Sequence, residues 1–261
     1  MKLFVVSDIH SFFTIFKKAL DEKGFEPNNP EHLLICCGDI FDRGRESNEV
    51  YEFLNSLTNV VLIKGNHEEL LEDLWERRAY LSYDRSNGTK RTTLDIFYKH
   101  ADIAPYTPIE VSEKVLKPFL AKFVNYFETE NYIFVHSWIP CKVSYTGSGE
   151  AKPWYTKNKT YDFMPNWRDA GKLAWQEARW GNPFEMAEAG LNKTDKCIVF
   201  GHWGTYENRP RDYEGEDLFD PFYGDNYIGL DATTALSGQT NVIVLEDALL
   251  EEDQIYNSST E

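Results

Sequence analysis

The segment Gly38-Asp39-Ile40-Phe41-Asp42-Arg43-Gly44 sets two carboxylates three residues apart, adds a guanidinium, and brackets them with glycines that permit a tight turn. Asp39 could bind a metal, Asp42 could orient a neighbouring base, and the planar fork of Arg43 could grip an oxyanion. Alone, such a segment is also an ordinary polar turn after the apolar run Leu33–Cys37. The same device recurs, however. Asp8-Ile9-His10, Gly65-Asn66-His67-Glu68, His136 and Gly201-His202 each follow a short apolar run of strand length. Four of the six histidines fall at these positions, which scattered placement would rarely give.

Asp8, His10, Asp39, Asn66, His136 and His202 form a mixed nitrogen and oxygen donor set, enough for two cations sharing one carboxylate. Imidazole donors argue against calcium or magnesium alone and toward manganese, with iron or zinc as alternatives. Two such ions can activate a bridging water at neutral pH and clamp a phosphate for in-line attack. Arg43 would neutralise charge building on the phosphate. His67, left over from the donor set, could protonate the leaving oxygen, held and kept basic by Asp42. Each residue also has a plainer account: Asn66 as a helix N-cap, Asp42 as a turn residue, His136 and His202 as core histidines. All of these must hold at once for the metal reading to fail. His32 and His100 match no pattern and receive no role.

The elements that must position these residues alternate. Strands are predicted at Lys2–Val6, Leu33–Cys37 and Val60–Ile63, with helices at Phe12–Glu22, Glu46–Leu57 and His67–Leu81. This is the pattern of βαβ units and a largely parallel sheet, in which sites form past the carboxyl ends of the strands. Residues 82–93 read as a polar loop, Thr92–His100 and Ile109–Phe127 as helices, Tyr132–Val135 as a strand, and 141–166 as a long loop. Trp167–Arg179 reads as one helix. Cys197–Phe200, Tyr227–Leu230 and Asn241–Glu246 read as strands close enough to share a second sheet. The expectation is one α/β domain over residues 1–261, with insertions at about 82–130 and 141–195.

The bulk composition narrows the function classes. With 42% hydrophobic and 15% aromatic residues the chain is globular. A net charge of −16, with no basic stripe, argues against nucleic acid as a partner. Acidic residues crowd Glu214–Asp225 and Glu246–Asp253, read as solvated surface. The first apolar run is far too short for a signal peptide or membrane span, so a cytoplasmic protein without membrane partners is expected. Cys36, Cys37, Cys141 and Cys197 lack zinc-site spacing and read as free thiols in a reducing compartment.

Ser-Asp-Ile-His, Gly-Asp-Ile-Phe-Asp-Arg-Gly, Gly-Asn-His-Glu, Val-His and Gly-His, in this order, resemble the calcineurin-like metallophosphoesterases. The second and third motifs mark the phosphoprotein phosphatase branch with its bacterial and phage relatives. The resemblance implies a two-sheet β-sandwich flanked by helices. It implies one metal at Asp8, His10 and Asp39 and a second at Asp39, Asn66, His136 and His202, the dyad Asp42–His67, and phosphate contact by Arg43. It also calls for a second phosphate-binding arginine, for which Arg179 is the first candidate and Arg168 the second. Two positions depart from the family pattern: Ser11 where glycine is usual, and Trp138 close after His136, where a bulky indole could narrow the cleft or stack on a substrate ring.

The expected function is therefore hydrolysis of phosphomonoesters, protein phosphoserine or phosphothreonine first, by direct attack of a metal-bridging hydroxide. A dinucleoside polyphosphate hydrolase is the alternative, with Trp138, Trp154, Tyr155 and Tyr161 as stacking partners for a base. A non-catalytic metal-binding scaffold is the reading from another class, and it leaves His67 and Asp42 without a purpose.

Overall fold

Three apolar layers separate two β-sheets and the helices outside them. The computed structural model describes residues 1–100, 105–145 and 159–250. The first sheet takes the order β11-β1-β2-β3, with β1 (Lys2–Val6), β2 (His32–Cys36), β3 (Val60–Leu62) and β11 (Val242–Glu246). The three N-terminal strands are parallel, and β11 runs antiparallel along β1, pairing Val6 with Val242. The second sheet has the order β4-β5-β8-β10-β9, built from Phe127–Glu128, Tyr132–Phe134, Cys197–Phe200, Tyr227–Gly229 and Phe222–Gly224 respectively. Its central strands β5, β8 and β10 are parallel, and the two edge strands are antiparallel.

Strand alternation builds the layers. Leu3, Val5, Ile35 and Ile243 of the first sheet meet Phe134, Val199 and Ile228 of the second in a layer between the sheets. Their neighbours Phe4, Val6, Leu34 and Cys36 face the other way, onto helices. Those helices are α1 (Phe13–Glu22), α2 (Ser47–Ser56), α3 (Asn66–Arg77), α5 (Thr89–Lys99) and α6 (Pro108–Leu120). Phe16, Leu54, Leu74, Ile96 and Phe119 are their buried contributions. On the far face of the second sheet, Ile133, Ile198 and Phe200 pack with Trp167, Trp175 of α7 (Lys172–Arg179), and Phe184 of α8 (Pro183–Glu188). Truncating a buried aromatic such as Phe16 or Trp175 to alanine would cost about 3–5 kcal/mol.

Several expectations are corrected. β11 belongs to the first sheet, not the second: the chain returns from β10 through the short helix α9 (Thr234–Ser237) and closes beside β1. Residues 82–93 are not a loop but α4 (Ser82–Asn87) and the start of α5, broken at Gly88 with φ +99°. Polar side chains hid the helix because its buried face carries Thr89, Thr92 and Thr93. α3 stops at Arg77, where Arg78 turns left-handed, short of the expected Leu81. Trp167–Arg179 is a 3-10 turn at Trp167–Asp169 followed by α7, not one helix. The expected loop 141–166 contains a hairpin of β6 (Cys141–Tyr145) and β7 (Lys159–Phe163). Trp154 and Tyr155 lie outside the described residues, as do residues 251–253 of the acidic terminal stretch. The cysteines are free, Cys36 and Cys37 fully buried. Among the described residues no helix is long and apolar enough to cross a membrane.

Candidate active site

Past the carboxyl ends of β1 and β2 the two chains keep running side by side. Asp8 N–H donates to Gly38 O at 3.1 Å, His10 N–H to Asp39 O at 3.0 Å, and Ser11 N–H to Ile40 O at 2.8 Å. This extension stacks Asp8 and His10 against Asp39 and Asp42. It demands an unusual backbone: Asp8, His10, Ser11, Asp39, Asp42, Arg43 and His202 all have φ between +47° and +73°. Left-handed non-glycine residues cost about 1–3 kcal/mol each and collect at functional sites. Gly65 serves close approach: a Cβ there would lie 2.2 Å from Asp39 Oδ1. From the first turn of α3, the Glu68 carboxylate accepts N–H bonds from Asp39 (3.0 Å), Ile40 (3.0 Å) and Gly65 (2.8 Å), tying helix to turn.

The structure brings Asp8, His10, Asp39, Asn66, His136 and His202 together. Donor atoms of Asp39, His136 and His202 lie within 4.8 Å of one another, as do those of His10, Asp39 and His67. Hydrogen bonding at each ring's other nitrogen shows which lone pairs point inward. His10 Nδ1 is bonded to Phe41 O at 2.9 Å, so it carries the proton and Nε2 is a bare acceptor. That Nε2 is buried without a hydrogen-bond partner and faces Asp8 Oδ1 at 3.7 Å and Asp39 Oδ2 at 3.6 Å. His136 Nδ1 is likewise bonded to Cys37 O at 2.9 Å, and its Nε2 faces His202 Nδ1 at 3.1 Å and Asp39 Oδ1 at 3.3 Å. The Asn66 side-chain amide is turned to the same group of acceptors, Asp39, His136 and His202. Acceptors turned on acceptors in a buried site fit divalent cations between them, with the outer bonds fixing the ring orientations.

The protonation states suit such ligands. Burial, then the charge of Arg43 and of His67, pushes His10 well below its ordinary value. Burial and neighbouring His136 bring His202 down to about 3, and burial lowers His136. Burial works against an ionised Asp39, yet His136, His67, His10 and His202 outweigh it and hold the carboxyl well below the usual range. Asp8 moves the other way, raised by burial and by the charges of Asp231 and Asp39. Neutral imidazoles and an ionised Asp39 are the forms in which such side chains ligate a cation, and only Asp8 departs from them.

His67 differs. Its Nδ1 meets Asp42 Oδ2 at 2.8 Å, and its pKa is raised: burial opposes the charge, but Asp39 and Asp42 outweigh burial. Asp42 is fully buried and also bonded by two threonines, Thr89 Oγ1 to Oδ2 at 2.7 Å and Thr92 Oγ1 to Oδ1 at 2.8 Å. Arg43 is exposed beside them. Arg179 is buried, its Nη1 2.9 Å from Glu69 Oε1 and its Nη2 donating to Asn125 Oδ1 at 2.8 Å. Arg168 is turned to another duty, a two-pronged bond to Glu128 at 2.6 and 2.8 Å, with Lys196 on the same carboxylate.

Trp138 does not line the cleft. It is 1% exposed and packs on Phe200 in the layer beyond the second sheet. The aromatic beside the cluster is the half-buried Trp180, edge-on to His202 at 6.4 Å and donating Nε1–H to Glu69. Tyr161 packs against the same outer layer as Trp138. Sequence reasoning also missed Glu68 as a turn clamp, Asp231, raised to about 6 by burial close to Asp8, and the threonine pair. The pair had one legible signal, an i, i+3 spacing that puts Thr89 and Thr92 on one helical face.

The family described as calcineurin-like phosphoesterase matches residues 1–230. Serine/threonine-protein phosphatase 2 of Salmonella typhimurium is 35% identical over 74 residues, 28% of this chain and 33% of that protein. The chain thus covers about a third of that relative's length. The symmetrical bis(5'-nucleosyl)-tetraphosphatase of Buchnera aphidicola is 23% identical over 250 residues, 79% of this chain and 86% of that protein. A cold-active protein-tyrosine phosphatase from a psychrophilic Shewanella species shares the fold, with a TM-score of 0.56 at 16% identity over 94% of this chain and 75% of the other.

Proposed function

The chain belongs to the calcineurin-like phosphoesterase family, and on that premise we propose that it is a phosphatase hydrolysing phosphomonoesters, protein phosphoserine or phosphothreonine first. Asp8, His10 and Asp39 would hold one divalent cation, and Asp39, Asn66, His136 and His202 a second, with manganese the first metal to test. Bound there, the ions would supply Lewis acidity and an activated water. The protein's own part is to bind, orient and move a proton. Arg43 and Arg179 would bind phosphate oxygens, and Glu69 and Asn125 keep the Arg179 fork aimed. His67, protonated at Nε2, would give its proton to the leaving oxygen while Asp42 holds Nδ1.

The observation that carries this reading is the 2.8 Å Asp42–His67 bond, behind the one site histidine whose environment favours the charged form while those of His10, His136 and His202 disfavour it. A metal-holding scaffold has no use for it. Cytoplasmic placement and a single domain over residues 1–261 complete the proposal. In support of the latter, α5 is bonded to α2 through Asp95 and Asn48, and α7 and α8 cover the second sheet. The bulk charge of −16 supports a partner other than nucleic acid.

Hydrolysis of dinucleoside polyphosphates is the second reading. The extent of the match to the Buchnera tetraphosphatase favours it, and Trp180, beside His202, would offer a base its stacking surface. Product analysis separates the two. Manganese-loaded protein is given a phosphoserine peptide and diadenosine tetraphosphate side by side. Phosphate from the peptide with the dinucleotide intact establishes the first reading, and two diphosphates from the dinucleotide establish the second. Bound metal with no turnover on either, or on small phosphomonoesters, removes both in favour of a scaffold.

A further inference from the structure

Asp42 uses both carboxylate oxygens, and two of its partners come from the helical stretch after α3. Oδ2 accepts from Thr89 Oγ1 (2.7 Å) as well as meeting His67 Nδ1 (2.8 Å), and Oδ1 accepts from Thr92 Oγ1 (2.8 Å). Thr92 Oγ1 in turn accepts the Asp42 backbone N–H at 3.0 Å, so one hydroxyl grips both ends of the residue. All three residues are fully buried, at 0% exposure. The corner between α4 and α5 is pressed onto the same turn: Asn87 O accepts Arg43 N–H at 3.2 Å, and a Cβ on Gly88 would lie 2.2 Å from Arg43 N. Behind Thr92 the contacts continue through Ser47 to Ser11, which follows His10.

We propose that Thr89 and Thr92 are positioning residues for proton transfer, fixing the Asp42 carboxylate and through it the ring of His67, so that the α4–α5 segment is a working part of the active site. This rests on the reading of His67 as the proton donor. The physical case is geometric. A carboxylate on a left-handed turn residue (φ +73°) has no regular element to hold its side chain, and one hydrogen bond leaves it free to swing about that bond. Two hydroxyls on successive turns of one helix fix both oxygens, and the plane of the carboxylate then fixes the plane of the imidazole. Threonine suits this because its branched Cβ limits the side chain to few rotamers.

The test uses the full chain loaded with metal, with phenyl phosphate and 4-nitrophenyl phosphate as substrates, because nitrophenolate leaves readily without a proton and phenolate does not. Thr92→Val and Thr89→Val should lower kcat on phenyl phosphate by about tenfold or more, with KM and metal content unchanged. The loss on 4-nitrophenyl phosphate should be clearly smaller. Thr92→Ser, which keeps the hydroxyl, should restore most of the rate. A readout without turnover accompanies these. In zinc-loaded protein the His67 Nδ1 proton should give a slowly exchanging downfield resonance that broadens away in Thr92→Val and returns in Thr92→Ser. Valine variants within twofold of the parent on both substrates with that resonance intact would overturn the proposal. So would an equal loss on both substrates accompanied by lost metal. A His67→Asn protein with near-normal turnover would instead remove the proton-donor reading itself, and so is told apart from a failure of the threonines.

Discussion

His136 and His67 occupy one site, are both buried, and each has Nδ1 held by an oxygen at 2.8–2.9 Å, yet their surroundings move them in opposite directions. The second sheet supplies His136 at the end of β5, and the oxygen behind it is the neutral carbonyl of Cys37. Burial then prevails, and the ring stays a neutral donor. Helix α3 supplies His67, and the oxygen behind it is the Asp42 carboxylate, clamped by two threonines. There burial is outweighed by Asp39 and Asp42, and the charged ring is favoured. One residue type therefore serves two purposes, and what separates them is the group one bond behind the ring.

The sharpest way to break this comparison is to remove the residue both regions share. Asp39 faces His136 at 3.3 Å and His67 at 3.8 Å. Asp39→Asn should lose both ions, measured by elemental analysis, together with all measurable turnover. Two ions per chain in that protein would rule out a shared carboxylate. Next comes His67→Asn, which should cut kcat by a factor on the order of a hundred while leaving metal content intact. The matching change His136→Asn should do the opposite in kind, losing an ion first. If both variants behaved alike, the division of labour would be wrong.

How much of this was legible in the sequence follows from where the residues sit. Asp8, His10, Asp39, Asn66, His136 and His202 each come just past a short apolar strand, and parallel strands bring such positions to one edge, so local pattern sufficed to gather them. The two sheets flanked by helices were likewise readable through the family motifs. Pairing between distant segments was not. β11 could lie in either sheet by its own pattern, and only its register along β1, Lys2 opposite Glu246, decides. Thr89 and Thr92 were lost because hydroxyls that bury themselves on a carboxylate look, in sequence, like a polar loop. Trp138 was misplaced because a residue two beyond a ligand can turn either way, and an indole is drawn to the apolar layer beside Phe200.

Smaller effects test the rims of the two regions. Arg179→Lys keeps a cation against Glu69 but loses the planar fork, and should lower kcat/KM by roughly tenfold on a phosphomonoester. Arg168→Lys, changed at the bond to Glu128, should leave kcat/KM near that of the parent. Equal losses would return Arg168 to contention. Glu68→Gln weakens bonds to Asp39, Ile40 and Gly65 together, and should cost about 1–3 kcal/mol in denaturant unfolding.

The last test is a difference in pH dependence, read on metal-free protein by denaturant unfolding. His67 has a folded pKa above its unfolded value of about 6.5, so it stabilises the fold fully below that pH and loses the contribution as pH rises through the folded pKa. His136 has a folded pKa below about 6.5, so its neutral ring is accommodated above that pH, and stability is lost as pH falls toward the folded pKa. The stability gap between the parent and His67→Asn should therefore shrink as pH rises from about 6 to 8. The gap between the parent and His136→Asn should shrink as pH falls from about 7 to 5. Taking differences against the parent cancels the shared titrations of Asp8, Glu68 and Asp231 to first order, since both variants retain them. Gaps that move in the same direction would mean that the carboxylate behind His67 and the carbonyl behind His136 are equivalent, and the two regions would lose their physical distinction.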